Sequence, residues 1–134
     1  MTKYFKILNQ EEKHHDYQYQ TGLNINSEPF NPSGDCEAGG FYITTIEHVV
    51  CFLGYGCSIA EVELPENTKI YKNPGTPKKW KVDQLILLDR IPLTNSKNLE
   101  LISYCKNLTG ANLYGANLYG ATIDDGEDNL YILK

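Results

Sequence analysis

His14 and His15 form the chain's one histidine cluster, and adjacent histidines are a first place to look for a metal ligand set. Neighbouring strand positions point to opposite faces, so the two rings cannot easily converge on one ion. Only Asp16 adds a further ligand type nearby, and the pair reads as a solvated turn. Four cysteines, Cys36, Cys51, Cys57 and Cys105, lie apart with no C-x-x-C spacing, which argues against a structural zinc site. Cys51 and Cys57 sit among apolar residues and are expected to pack as small buried hydrophobes. His48 falls on an expected helix and reads as a surface or half-buried residue. No Ser-His-Asp or Cys-His arrangement can be assembled, and no glycine-rich phosphate loop is present. No catalytic residue, metal or cofactor follows from these motifs.

One ordered set of residues points to an enzyme. Tyr17 and Tyr19 are followed by Gly39-Gly40-Phe41-Tyr42, then by an expected helix, then by Glu61 and Glu63 in an expected strand. This order resembles ADP-ribosyltransferase folds, where a His/Arg strand, a Gly-x-Tyr strand with its following helix and a late Glu build a nicotinamide pocket. The resemblance implies an alternative function, a small transferase-like enzyme or nucleotide-binding domain. Tyr19 and Tyr42 would stack on the nicotinamide ring and Glu61 would hold the ribose hydroxyl. The structural reading of the same residues is a sheet whose tyrosines pack around a helix.

The elements that must position these residues can be read from periodicity. Residues 2–8 and 17–22 alternate in the manner of strands. Residues 23–34 carry Asn, Ser, Pro29 and Pro32 and read as a loop. Gly39-Gly40 requires positive φ or a close approach by another group, and Phe41-Tyr42-Ile43 reads as a short strand. Thr44 and Glu47 form a capping-box pattern for a helix carrying Ile46, Val49, Val50 and Leu53, ended by Gly54 and Gly56. Residues 58–64 alternate with a parity break that predicts a bulge or a two-sided strand. Residues 68–71 and 80–92 supply further strands, the run Leu85–Leu88 fitting a buried one. Residues 95–104 read as a second short helix or a turn. The fold class expected is α+β, a small mixed sheet of about six short strands with one or two helices.

The strongest pattern is at the end. Asn107-Leu108-Thr109-Gly110-Ala111, Asn112-Leu113-Tyr114-Gly115-Ala116, Asn117-Leu118-Tyr119-Gly120-Ala121 and Thr122-Ile123-Asp124-Asp125 are four tandem pentads. They resemble the pentapeptide-repeat family, which implies one coil of a right-handed four-sided β-helix. Leu108, Leu113, Leu118 and Ile123 would then point inward with Ala111, Ala116 and Ala121, while Lys106 departs from the small-residue column. A single coil cannot bury its own apolar mouths. It must stack on the preceding residues, stack on a second copy, or adopt another local fold. Leu113, Tyr114, Leu118 and Tyr119 are the candidate interface residues. The division expected is a head at 1–94, a connector at 95–105, the coil at 106–125 and a tail at 126–134.

Composition bounds the partners. With 134 residues and 41% hydrophobic content, one domain can bury a core without staples. Ten of the fifteen aromatics are tyrosines, which suit half-buried walls and interfaces. The formal net charge is −5, which argues against nonspecific nucleic-acid binding. The local basic run Lys78-Lys79-Trp80-Lys81 reads as a solvated turn entering a strand. No stretch is apolar enough to span a bilayer, and the first residues lack a signal-peptide pattern, so a cytosolic protein is expected.

Longer stretches resemble an N-terminal module of mimivirus-like giant-virus proteins. They are His14-His15 with Gln18-Tyr19, Gly22-Leu23-Asn24, Pro29-Phe30-Asn31, Cys36 with Gly39-Gly40-Phe41-Tyr42-Ile43-Thr44, Phe52-Leu53 with Tyr55-Gly56, and Glu61-Val62 with Leu64-Pro65. In that family the module commonly precedes ankyrin repeats, whereas here pentads follow. The resemblance implies a viral protein in the host cytoplasm and no known reaction. The leading expectation is a non-catalytic interaction or adaptor module with a protein partner, the host as its candidate source, and self-association through the repeat as an option.

Overall fold

The computed structural model describes residues 3–32, 39–72, 79–105, 113, 115–120, 122–124 and 130–132. The strands are β1 (Tyr4–Leu8), β2 (Lys13–His14), β3 (Tyr17–Gln18), β4 (Gly22–Ile25), β5 (Phe41–Ile43), β6 (Ser58–Glu63), β7 (Ile70–Lys72), β8 (Trp80–Val82), β9 (Gln84–Pro92), β10 (Thr122–Asp124) and β11 (Leu130–Ile132). A 3₁₀ helix runs Val49–Tyr55 and one α-helix, α1, runs Asn95–Ile102.

A four-stranded antiparallel sheet has the order β1-β6-β9-β4 and a three-stranded one the order β5-β8-β7. They are stitched where Phe5 and Thr44 exchange backbone hydrogen bonds of 2.8 and 2.9 Å. Asp83 forms a corner between β8 and β9, so residues 80–92 are two strands rather than one. On β9 the inward set is Leu85 and Leu87, both fully buried, while Ile86 and Leu88 are half-buried. The parity break in β6 is that of a two-sided strand: Ile59 belongs to the second core, Ala60 and Val62 to the main one. Its register with β9 also shifts, Ala60 facing Arg90 and Val62 facing Leu87, so β9 carries one extra residue there.

The main core lies between the sheets and contains Leu8, Tyr19, Phe41, Ile43, Val62, Val82, Leu85 and Leu87. Tyr17 and Tyr19 stack edge-to-face beside Phe41, with Tyr17 and Phe41 centroids 4.7 Å apart. A second core gathers Val49, Val50, Leu53, Ile59, Leu101 and Leu118. It joins the 3₁₀ helix, the outer face of β6, α1 and the repeat.

Several local expectations are corrected. No α-helix starts at Thr44, because its backbone is committed to Phe5 and cannot open a helix. The 3₁₀ helix starts after His48, which provides no side-chain cap. Gly56 follows it in extended geometry, φ −170°, rather than in a left-handed cap. β4 runs from Gly22 into the expected loop at 23–34, while of the expected strand 17–22 only Tyr17, Gln18 and Gly22 are extended. The cause is Asn24, fully buried, whose Nδ2 donates to the carbonyls of Gln20 (2.7 Å) and Gly22 (3.0 Å). Its Oδ1 accepts from Gln20 N–H and from the Tyr17 hydroxyl, each at 3.0 Å. A fully satisfied amide can replace an apolar side chain in a sheet without an unpaired polar group.

At the repeat, Ala116 N–H donates to Leu113 C=O at 3.0 Å, with Gly115 at φ +76° in the third turn position. That is the position at which a type II turn requires positive φ. Gly120, one pentad later, has φ +85°. Residues 122–124, in the stretch expected to be the coil, pair antiparallel with 130–132, in the stretch expected to be the tail. Tyr114, Leu108, Ala111 and Ala121 lie outside the described residues.

Candidate functional site

A cavity of about 250 Å³ opens beside β1. Its floor and walls come from Phe5, Lys6 and Leu8 of β1, Tyr19, Tyr42 of β5 and the 3₁₀-helix residues Phe52 and Tyr55. Lys13 and His14 of the β2–β3 hairpin and Lys79, ahead of β8, also line it. The hairpin is anchored by Arg90, whose Nε and Nη2 each donate to a Glu12 carboxylate oxygen at 2.8 Å. Such paired bonds fix orientation as well as distance.

Lys6 is the unusual member. It shares the inward phase of β1 with Tyr4 and Leu8 and is only 7% exposed. Its Nζ donates to the Tyr42 carbonyl at 2.7 Å and sits 4.8 Å from the Tyr19 ring centroid. Burial pushes its pKa from 10.5 down to about 7. Burial, ahead of the positive neighbours Lys6, His15 and Lys79, pushes His14 down to about 4, so its imidazole is neutral at pH 7. Lys79 lies 4.7 Å from the Tyr42 ring centroid. Among the described residues the lining holds three lysines and no carboxylate.

Gly39-Gly40 serves this wall. Gly39 has φ +94°, and a Cβ on Gly40 would lie 2.7 Å from Cγ of Lys81. The buried Lys81 stem crosses that position with its Nζ 5.4 Å from the Tyr42 centroid. The basic run expected to be a solvated turn therefore places Lys79 in the cavity and Lys81 in the interior. His14, expected in a solvated turn, is exposed on β2 and also lines the cavity, with its ring 4.1 Å from that of His15.

Of the three residues named for a nicotinamide pocket, Tyr19 and Tyr42 meet at this cavity and Glu61 does not. Glu61 sits across from Phe5 on β6 and pairs with Lys3 at 3.7 Å. Cys51 is buried, its thiol pushed up to about 11 by burial and by Cys105, whereas Cys57 is exposed rather than packed. Cys36 lies outside the described residues. Among the described residues no group of His, Cys, Asp and Glu is arranged to hold a metal, and no helix is long and apolar enough to cross a membrane. Of the repeat interface residues, Leu118 is 7% exposed in the second core and Leu113 packs against that core. Tyr119 is 67% exposed.

Sequence reading missed Lys6, Phe52, Tyr55 and Lys79. The phase of β1 was a usable signal for Lys6, since it puts Lys6 in register with the buried Leu8. The others come from elements distant in sequence, the 3₁₀ helix and the residue ahead of β8.

The relatives of this chain are mimivirus proteins. Over 103 residues it is 34% identical to a protein of Acanthamoeba polyphaga mimivirus whose name describes an ankyrin repeat protein, covering 74% of this chain and 51% of the relative. A second protein so described, from the same virus, is 33% identical over 102 residues, 72% of this chain and 32% of the relative. An uncharacterized protein of that virus is 37% identical over 71 residues, 52% of this chain and 51% of the relative. The chain spans about half the length, or less, of these curated relatives. No family model matches the chain, and no solved structure matches it.

Proposed function

We propose that this chain is a non-catalytic protein-interaction module of a giant virus, acting in the host cytoplasm, whose pentads form one coil that caps the α+β head. The similarity to viral proteins with ankyrin-repeat names carries the interaction reading, because a head joined to repeats is the layout of an adaptor. Capping is supported by the burial of Leu118 in one core with Val49, Leu53 and Leu101. The left-handed glycines one pentad apart, Gly115 and Gly120, are consistent with a turn in each pentad.

The enzyme alternative has less support. Its carboxylate, Glu61, stands outside the cavity, and about 250 Å³ is at the small end of ligand pockets, roughly 300–1,000 Å³.

The test is direct binding. Immobilised chain is exposed to lysate of infected host cells, and each retained polypeptide is purified and retitrated against the chain by calorimetry. The expected result is saturable binding of one defined polypeptide and no release of nicotinamide from NAD. Absence of any such partner, or NAD turnover lost in Glu61→Gln, overturns the reading. Light scattering separates the two uses of the coil: a monomer at high concentration fits the cap, a stable dimer fits self-association.

A further inference from the structure

We propose that the cavity beside β1 is a binding site for a carboxylate carried on an apolar stem, with Lys6 as the anion's partner. The Lys6 ammonium is buried, and among the described residues no carboxylate pairs with it. One of its three donors is used by the Tyr42 carbonyl. A buried charge without a counter-ion is costly, and the group either neutralises or acquires a partner. None of the described residues that line the cavity is a carboxylate. The groups facing Lys6 are the neutral Tyr19 and His14, with Lys13 and Lys79 also at the cavity.

This basic lining stands in a chain with 17 acidic residues against 12 Lys and Arg. An anion entering the cavity would meet Lys6, Lys13 and Lys79 among its described lining residues, with apolar walls that reduce screening. The ring walls of Phe5, Phe52 and Tyr55 suit an apolar stem. The cavity size suits one small acid or one terminal residue. A monoanion matches the one buried amine among the described lining residues; a phosphate dianion would carry a further charge for which that lining has no second buried cation.

Two sources share this chemistry, a free small acid and the C-terminal carboxylate of a partner polypeptide. The inference does not depend on the adaptor reading, since a free acid needs no protein partner.

The experiment is a titration of ¹⁵N-labelled full chain at pH 7 with 4-phenylbutyrate and with an acetylated tripeptide ending in Phe. Each acid is matched by its uncharged amide. The expected result is saturable shifts of the Lys6, His14 and Tyr42 amides, with the acid binding about ten-fold or more tighter than its amide. The tighter arm gives the source. Lys6→Met abolishes the preference for the acid. In wild type the acid's affinity falls as pH rises above about 7, because Lys6 then loses the proton the anion needs. Equal binding of acid and amide, or no binding of either acid up to about 10 mM, overturns the proposal. Both readings use wild-type protein and hold whether or not Lys6→Met folds.

Discussion

Asn98 donates its Nδ2 to the main-chain carbonyl of Asn117 at 3.0 Å, from a side chain that is 1% exposed. One turn earlier on α1, Asn95 donates to the Asn117 side-chain oxygen at 3.1 Å and to the Tyr119 carbonyl at 2.8 Å. Two asparagines at i and i+3 share a helix face, and here that face reads the backbone of the repeat. The helix is opened by Thr94, whose side chain accepts from Lys97 N–H. Leu118 is thus delivered to the second core by polar contacts on either side of it.

Replacing Asn98 should loosen the repeat from α1. Asn98→Ala removes a buried donor and is expected to cost about 1–3 kcal/mol. Asn98→Asp sets a carboxylate against the Asn117 carbonyl and should cost more at pH 7. Urea denaturation of the three proteins ranks them, and equal midpoints would show that this bond does not anchor the repeat.

Leu118 and Tyr119 are adjacent and should behave oppositely. Leu118→Ala empties a core position and is expected to lower stability by about 2–5 kcal/mol. Tyr119→Ala, at an exposed site, should stay within about 0.5 kcal/mol. Thermal unfolding at several protein concentrations checks both. A concentration-dependent midpoint that Tyr119→Ala abolishes would place Tyr119 in a subunit contact.

Gly56 and Gly115 are required for different reasons, and alanine distinguishes them. A Cβ on Gly56 would run into the main-chain carbonyl of Leu8, which cannot swing aside. Gly56→Ala should cost about 3 kcal/mol or prevent folding. Gly115 has open space around it and only its φ of +76° to defend, so Gly115→Ala should cost about 1–2 kcal/mol. Denaturation midpoints that rank the two the other way would contradict these placements.

Legibility in the sequence followed the range of the interactions. The buried part of β9, the two-sided character of β6 and the Gly39-Gly40 requirement are written in an apolar run, in local alternation and in glycine. Strand β4 was hidden because Asn24 looks like loop chemistry until its four hydrogen bonds are seen to close on Tyr17, Gln20 and Gly22. The expected helix at Thr44 failed because Phe5, far away in sequence, takes the same backbone groups. The cavity was half legible: the tyrosines announced a wall, but Lys79 and Phe52 reach it only through tertiary pairing.

Lys6 should make stability depend on pH. Its folded pKa of about 7 lies below the ordinary 10.5, so between these values the unfolded chain binds the extra proton. Stability then rises with pH across that window, by at most about 1.4 kcal/mol per unit from this group. Below about pH 7 the buried ammonium is present in both states and its full cost is felt; above about pH 10.5 the contribution is constant. Lys6→Met lacks this titration. Chemical denaturation from pH 6 to 10 should therefore show wild type gaining on Lys6→Met as pH rises. A constant difference between the two proteins would mean that Lys6 keeps its ordinary pKa in the fold, with an anionic partner already at hand.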